Sequence, residues 1–283
     1  MNIKTNLGIG AALVGAFILG AVALNYSSAQ QGEDNAESAK STAAVAPVST
    51  GGTSFSDQQE NEIRFLVKQY LLQNPEVIIE AVNEYSRRQQ ALSEAAVRDA
   101  AAANIDALLD STGGYVAGKN PDNAKVAVIE LFDYHCGYCK RAAPLVKSLT
   151  KKEDDVKIVF REYPILRDES DYAAEVALAA RDQGKFLDMH FAMMEANGVL
   201  TKDRIEKIAK KNGVNLAKLE ASLEKPAISA SIRETVSLAR SMGVSGTPAF
   251  IIASVDGNYV NVVEGFRPDE VLNAIDEARA AAN

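Results

Sequence analysis

Lys125-Val-Ala-Val-Ile-Glu-Leu-Phe132 runs directly into Asp133-Tyr-His-Cys136-Gly-Tyr-Cys139-Lys140. The first part is apolar and rich in β-branched residues, the composition of a buried strand. Lys140 to Leu149 then has helical spacing, and Pro144 is expected to kink that helix. Both cysteines of the 283-residue chain lie in the tetrapeptide between strand and helix. No third thiol exists, so no separate structural disulfide can form within the chain. Two thiols spaced C-x-x-C at a helix start can close a small, strained, easily reversed disulfide. Strand, short loop with C-x-x-C, then helix is the layout of a redox site.

The chemistry requires a thiolate, so something must lower the pKa of Cys136. A helix N-terminus does so through its unpaired N–H groups and dipole. Lys140 and Arg141 add positive charge nearby. Cys139 follows one turn on, where it can attack a mixed disulfide on Cys136 and release the partner. Cys136 is therefore read as the nucleophile and Cys139 as the resolving thiol. The competing reading is a metal site. Structural zinc needs four ligands, and one C-x-x-C with His135 and His190 as the only histidines does not supply a usual set. Thiolates are soft ligands, so a Cu(I) contact stays open. No resident metal or cofactor is expected.

Composition is that of a globular protein, 47% hydrophobic and 24% charged. A net charge of −8, with no basic run, argues against nucleic acid as a partner. Lys4 precedes an uncharged apolar stretch from Leu7 to Leu24, and Ser27-Ser28-Ala29 resembles a cleavage site. Residues 1–29 are read as a signal peptide or a membrane anchor; the stretch is long for the first and near the length of the second. Either way the rest is exported, to the periplasm or the extracytoplasmic side of the inner membrane, soluble after cleavage or N-terminally anchored. An exported chain whose only cysteines form C-x-x-C points to redox use. Residues 30–54, rich in Ser, Ala, Gly, Gln and Thr, read as a flexible linker.

Residues 55–112 read as a helical region. Ser56 is placed to cap a helix from Asp57, with Ile63, Leu66, Val67, Tyr70 and Leu71 on one stripe. Asn74-Pro75-Glu76 then suggests an Asn N-cap with Pro at the first helical position. The second helix carries Ile78, Val82, Tyr85, Leu92 and Ala96, and extends toward Leu109 before Ser111 to Gly114 end it. Such helices either pack on the main domain or bury their stripe in an oligomer. Residues 113–283 form the main domain. Val156 to Tyr163 is a second strand. A helical block fills about 170–240. Short strands at Ala249 to Ala253 and Tyr259 to Glu264 flank an Asp256-Gly257-Asn258 turn, and Pro268 to Ala282 closes the chain as a helix. His190 is a helix residue of the block. Asp133 caps or hydrogen-bonds the loop and carries no chemistry.

This order resembles the DsbA-type thioredoxin family. More narrowly, it resembles the branch with an N-terminal helical extension, which includes the ScsC-type suppressor-of-copper-sensitivity proteins. Leu71-Leu-Gln-Asn-Pro-Glu-Val-Ile78 resembles the extension, Phe132 to Lys140 the active-site stretch, and Gly243-Val-Ser-Gly-Thr-Pro-Ala-Phe250 the cis-proline loop. The resemblance implies an α/β thioredoxin-like fold with a helical insertion, preceded by that extension. It implies a cis Thr247–Pro248 peptide whose Thr247 backbone pairs with an extended substrate. It implies that Glu130 is a buried carboxylate taking the Cys139 proton through water; a Glu facing solvent at the strand end is the alternative. Gly137 and Tyr138 would tune the redox potential, and a protonated His135 would stabilise the thiolate. The implied partners are cysteine-containing exported proteins and a membrane redox protein, a DsbD- or ScsB-like reductant or a DsbB-like oxidant. Residues 55–112 would make a homo-oligomer. Disulfide isomerase or reductase activity is favoured. The alternatives are a dithiol oxidase and a copper-tolerance protein using the same thiolates.

Overall fold

A computed structural model describes residues 55–282, so the segments read as signal or anchor and as linker lie outside the described residues. The chain divides into two units, 1–62 and 63–283. In the first, residues 55–62 open helix α1 (Asp57–Gln73). Ser56 Oγ accepts from Gln59 N at 3.3 Å and Gln59 Oε1 accepts from Ser56 N at 3.0 Å, a reciprocal cap.

In the second unit, β2 (Val126–Phe132) is buried at every position. It lies in the middle of a five-stranded sheet with β1 (Tyr115–Gly118), β3 (Val156–Glu162), β4 (Ala249–Ser254) and β5 (Val260–Glu264), in the order β1-β3-β2-β4-β5. β2 and β3 are parallel; the other neighbours are antiparallel. A strand covered on both faces has no need to alternate with polar residues, which is why β2 reads as one apolar run. Successive side chains still point to opposite faces. Val126, Val128 and Phe132 join a core with helix α4 (Gly137–Lys152), the insertion and the C-terminal helix α10 (Pro268–Ala281). Ala127, Ile129 and Leu131 join a second core on the opposite face. Glu130 shares the parity of Val128 and Phe132, so the strand's own geometry turns it to the face that α4 covers.

The insertion between β3 and β4 is α5 (Asp168–Ala179), α6 (Phe186–Glu195), α7 (Lys202–Lys211), α8 (Leu216–Leu223) and α9 (Pro226–Met242). α4 runs through Pro144 to Lys152.

The second core is completed by the end of the extension. Helix α2 (Glu76–Ala103) buries only Val97 and Ala101, and α3 (Ile105–Leu109) buries Leu108. Arg161 of β3 faces this side, fully buried, and donates to the carbonyls of Ala107, Leu108 and Asp110 at the end of α3. A Cβ at Gly113 would collide with the Arg161 guanidinium. Upstream, α1 buries nothing, and Phe65, Leu66, Leu72, Ile79, Tyr85 and Leu92 are all at least 60% exposed. The extension therefore does not lay its stripe on the domain of its own chain.

Two local expectations are corrected. Asn74 does not cap α2: its Nδ2 donates back to Tyr70 O at 2.8 Å, and Pro75 precedes the helix with no side-chain cap. The helix also does not continue to Leu109. It stops at Ala103, where Asn104 Nδ2 donates to Ala100 O at 2.8 Å and restarts the chain as α3. Among the described residues no helix is long and apolar enough to cross a membrane.

Candidate active site

β2 ends at Phe132 and α4 begins at Gly137, so Asp133 to Cys136 make the turn between sheet and helix. Cys136 is the N-cap of α4, in extended conformation, and its Sγ accepts from Cys139 N at 3.3 Å. This places sulfur where an N-cap oxygen normally sits, on the positive end of the helix. Across the site, the Thr247–Pro248 peptide is cis. Cys136 Sγ, as a thiol, donates to Thr247 O at 3.1 Å.

The two sulfurs are electrostatically unequal. The hydrogen bond from Cys139 brings the Cys136 pKa down to about 6, against burial, with help from the Thr247 side chain and the N–H groups of Cys139 and Tyr138. Cys139, with no exposure, is driven far above the usual thiol range by burial, by its bond to Cys136 and by the charge of Glu130. Glu130 is buried, and burial followed by the Cys136 charge raises its pKa to about 8. Its Oε2 has no hydrogen-bond partner among the described residues. One thiol is thus ionised at neutral pH, the other is not, and an underused carboxyl lies on the α4 side of β2.

His135 lies elsewhere than expected in its chemistry. Its Nε2 accepts from Leu200 N at 3.0 Å, and Nδ1 lies 2.9 Å from Ser170 Oγ. A ring nitrogen that accepts from a backbone N–H carries no proton, and burial lowers the pKa of the ring. The imidazolium expected beside the thiolate is therefore corrected to a neutral, structurally engaged imidazole. Lys140 likewise points away, donating to the carbonyls of Met193, Met194 and Ala196 at 3.1, 3.3 and 2.6 Å. Arg141 lies over the Tyr138 ring, 4.1 Å from its centroid, on the exposed rim.

Asp133 hydrogen-bonds the loop, as expected, and also reaches residues beyond it. Its Oδ1 accepts from His135 N at 2.7 Å and Ser170 Oγ at 2.8 Å; Oδ2 accepts from Ile165 N at 2.9 Å and Leu166 N at 3.0 Å. Tyr134 donates to Glu162 Oε1 at 2.9 Å and lies 3.2 Å from His190 Nδ1, deep under the loop. An acidic residue directly after a buried strand was the available signal for Asp133. Nothing local signals Glu162 or His190. Among the described residues no three His, Cys, Asp or Glu side chains are grouped as a metal site.

A sheet that delivers two unequal thiols to a helix start is the arrangement of a thioredoxin-fold redox site. The chain belongs to the DsbA-like thioredoxin family: the model of the DSBA-like thioredoxin domain matches residues 127–276. The model of the copper resistance protein ScsC N-terminal domain matches residues 59–91, within the helical extension. A thioredoxin-like oxidoreductase from Silicibacter pomeroyi is 38% identical, with a TM-score of 0.56 over 62% of this chain and 96% of that one. BcfH of Salmonella enterica Typhimurium is 29% identical, with a TM-score of 0.66 over 78% of this chain and 96% of that one. Among curated proteins, the Na(+)/H(+) antiporter NhaA 1 of Salinispora arenicola is 32% identical over 136 residues, 47% of this chain and 21% of the antiporter. The chain thus matches about a fifth of the length of that relative.

Proposed function

We propose that the protein exchanges disulfides on exported proteins through Cys136 and Cys139, working as an isomerase or reductase. The observation that carries the exchange chemistry is the placing of the thiols: Cys136 Sγ is the N-cap of α4 and accepts from Cys139 N, while Cys139 is fully buried one turn on, which lowers the pKa of the first and raises that of the second. The Cys136 thiolate attacks one sulfur of a substrate disulfide. That S–S bond breaks, a mixed disulfide forms, and the other substrate sulfur leaves as a thiolate. In isomerisation a second substrate thiolate then displaces Cys136, and no net electrons move. In reduction, Cys139 loses its proton to Glu130 and attacks Cys136 Sγ, leaving an oxidised pair and a reduced substrate. A membrane reductant would return two electrons. The Thr247 backbone is suited to pair with the extended substrate strand. Gly137 and Tyr138 tune the potential.

The direction is supported by the extension. Its exposed apolar residues suit a homo-oligomer through 55–112, and several catalytic domains around one substrate favour reshuffling. The remaining boundaries are proposed as read from sequence, with an exported domain of 113–283 behind a cleaved or anchoring N-terminus. The oxidase is the second reading, favoured by one observation: a stabilised thiolate stabilises the reduced form and makes the disulfide a stronger oxidant. Acid quenching of growing cells, thiol alkylation and a gel shift separate the two. A mostly reduced pair is expected. A mostly oxidised pair would assign the chain to disulfide donation.

A further inference from the structure

The side chains around the cysteines grip the insertion. The loop from Ala196 to Thr201 joins α6 to α7. At its start, Lys140 Nζ caps α6 by donating to the carbonyls of Met193, Met194 and Ala196. At its far end, Leu200 N donates to His135 Nε2. Arg204 closes the middle by donating to the carbonyls of Asn197 and Val199. Across the site, Asp133 holds the backbone of Ile165 and Leu166. The side chains carried by these held segments, Ile165, Leu166 and Val199, stay exposed, as does Tyr138 on the cysteine helix.

Two features separate this grip from sulfur chemistry. An ammonium has three N–H donors, and Lys140 gives bonds to three carbonyls. His135 accepts from Leu200 N only while neutral, so it cannot hold the loop and also act as a counter-charge to the thiolate. Leu200 is buried and fixes one end of the loop in the core. The two polar contacts therefore set the path of the exposed residues between, not whether the loop folds.

Resting on the exchange chemistry above, we propose that His135 and Lys140 are positioning residues that fix the Ala196–Leu200 loop as one wall of the substrate site. They govern affinity for the extended, apolar polypeptide flanking the disulfide that Cys136 attacks, and His135, being neutral, does so without adding a counter-charge to the Cys136 thiolate. Continuity of this wall with the sulfur, through the backbone bonds of His135 and Asp133, is what assigns it to that occupant.

The test compares the full chain with His135→Ala, His135→Gln and Lys140→Met. Turnover is followed on a fluorescent disulfide peptide with leucines beside its cysteine, and the Cys136 pKa by ultraviolet thiolate absorbance. His135→Ala is expected to raise KM about three- to tenfold, the worth of one hydrogen bond, with kcat and the Cys136 pKa unchanged. His135→Gln keeps an acceptor for Leu200 N and should restore KM. Lys140→Met, at the other end of the loop, carries the same KM expectation as His135→Ala and stands in for it if that variant does not fold; its ammonium is electrostatically coupled to Cys136, so the pKa readout is kept for the His135 variants. A raised Cys136 pKa in His135→Ala with unaltered KM would overturn the proposal, as would unaltered KM in both His135→Ala and Lys140→Met. No turnover by the unsubstituted chain would instead overturn the exchange chemistry on which it rests.

Discussion

Glu130→Gln tests how the site stores an unfavourable group at the centre of the sheet. Glu130 is buried, its Oε2 has no hydrogen-bond partner among the described residues, and its pKa rises from an ordinary 4.5 to about 8, chiefly through burial. A group whose folded pKa is raised contributes its stability fully below the unfolded pKa and loses it as pH climbs through the folded value. Near pH 4.5 and below, the carboxyl is neutral in both states and the protein gives up nothing. Between 4.5 and 7, at 1.36 kcal/mol per pH unit, the folded state loses about 3 kcal/mol. Above pH 8 the loss levels off at about 5 kcal/mol. Glutamine has the same shape and no charge, so its own burial penalty is a constant offset. Urea unfolding of the reduced protein and the variant, at pH steps from 5 to 9, should show the gap in favour of the variant widening by about 4 kcal/mol across the series. The variant should also resolve mixed disulfides more slowly, on the order of a hundredfold, because no base takes the Cys139 proton. A stability gap that stays constant across the series would refute the reasoning, since it would mean that Glu130 ionises in the folded state as it does in water.

Cys139→Ala should leave Cys136 able to attack but unable to let go, so mass spectrometry of the variant from cells should find partner proteins disulfide-linked to Cys136. His190 is fully buried and its pKa is pushed down to about 3, so its contribution is lost as pH falls from the ordinary 6.5 toward 3. His190→Phe keeps a ring in the aromatic cluster and should therefore recover about 3 kcal/mol at pH 4, read as a lower acid-unfolding midpoint by circular dichroism. Replacing Leu66 and Leu72, both more than 60% exposed, by aspartate should convert an oligomer to monomers in light scattering without lowering the unfolding midpoint of the catalytic domain.

The legible parts of this fold were those in which local pattern and tertiary role agree. β2 is buried on both faces and reads as one apolar run, and α7 buries Ile205 and Ala209 at helical spacing. β1 went unread because Tyr115-Val-Ala-Gly118 is too short to show a period; its pairing with β3 makes it a strand. The Asn74 cap failed because an Asn side chain can satisfy either the helix ahead or the helix behind, and here it turns back to Tyr70. The same ambiguity stands behind Asp133, whose four hydrogen bonds end on residues as distant as Ser170. The cysteines were legible because the redox pair is contiguous in sequence. Arg161, Glu162 and His190 were not, because a buried polar side chain is explained only by partners that the fold delivers from elsewhere.

The most direct test of the account is recovery of activity from scrambled ribonuclease by the unsubstituted chain and by Cys136→Ala in a glutathione buffer. Isomerisation through Cys136 predicts recovery well above the buffer alone for the unsubstituted chain and none above it for the variant. Equal recovery by both proteins would contradict the assignment of the reaction to Cys136.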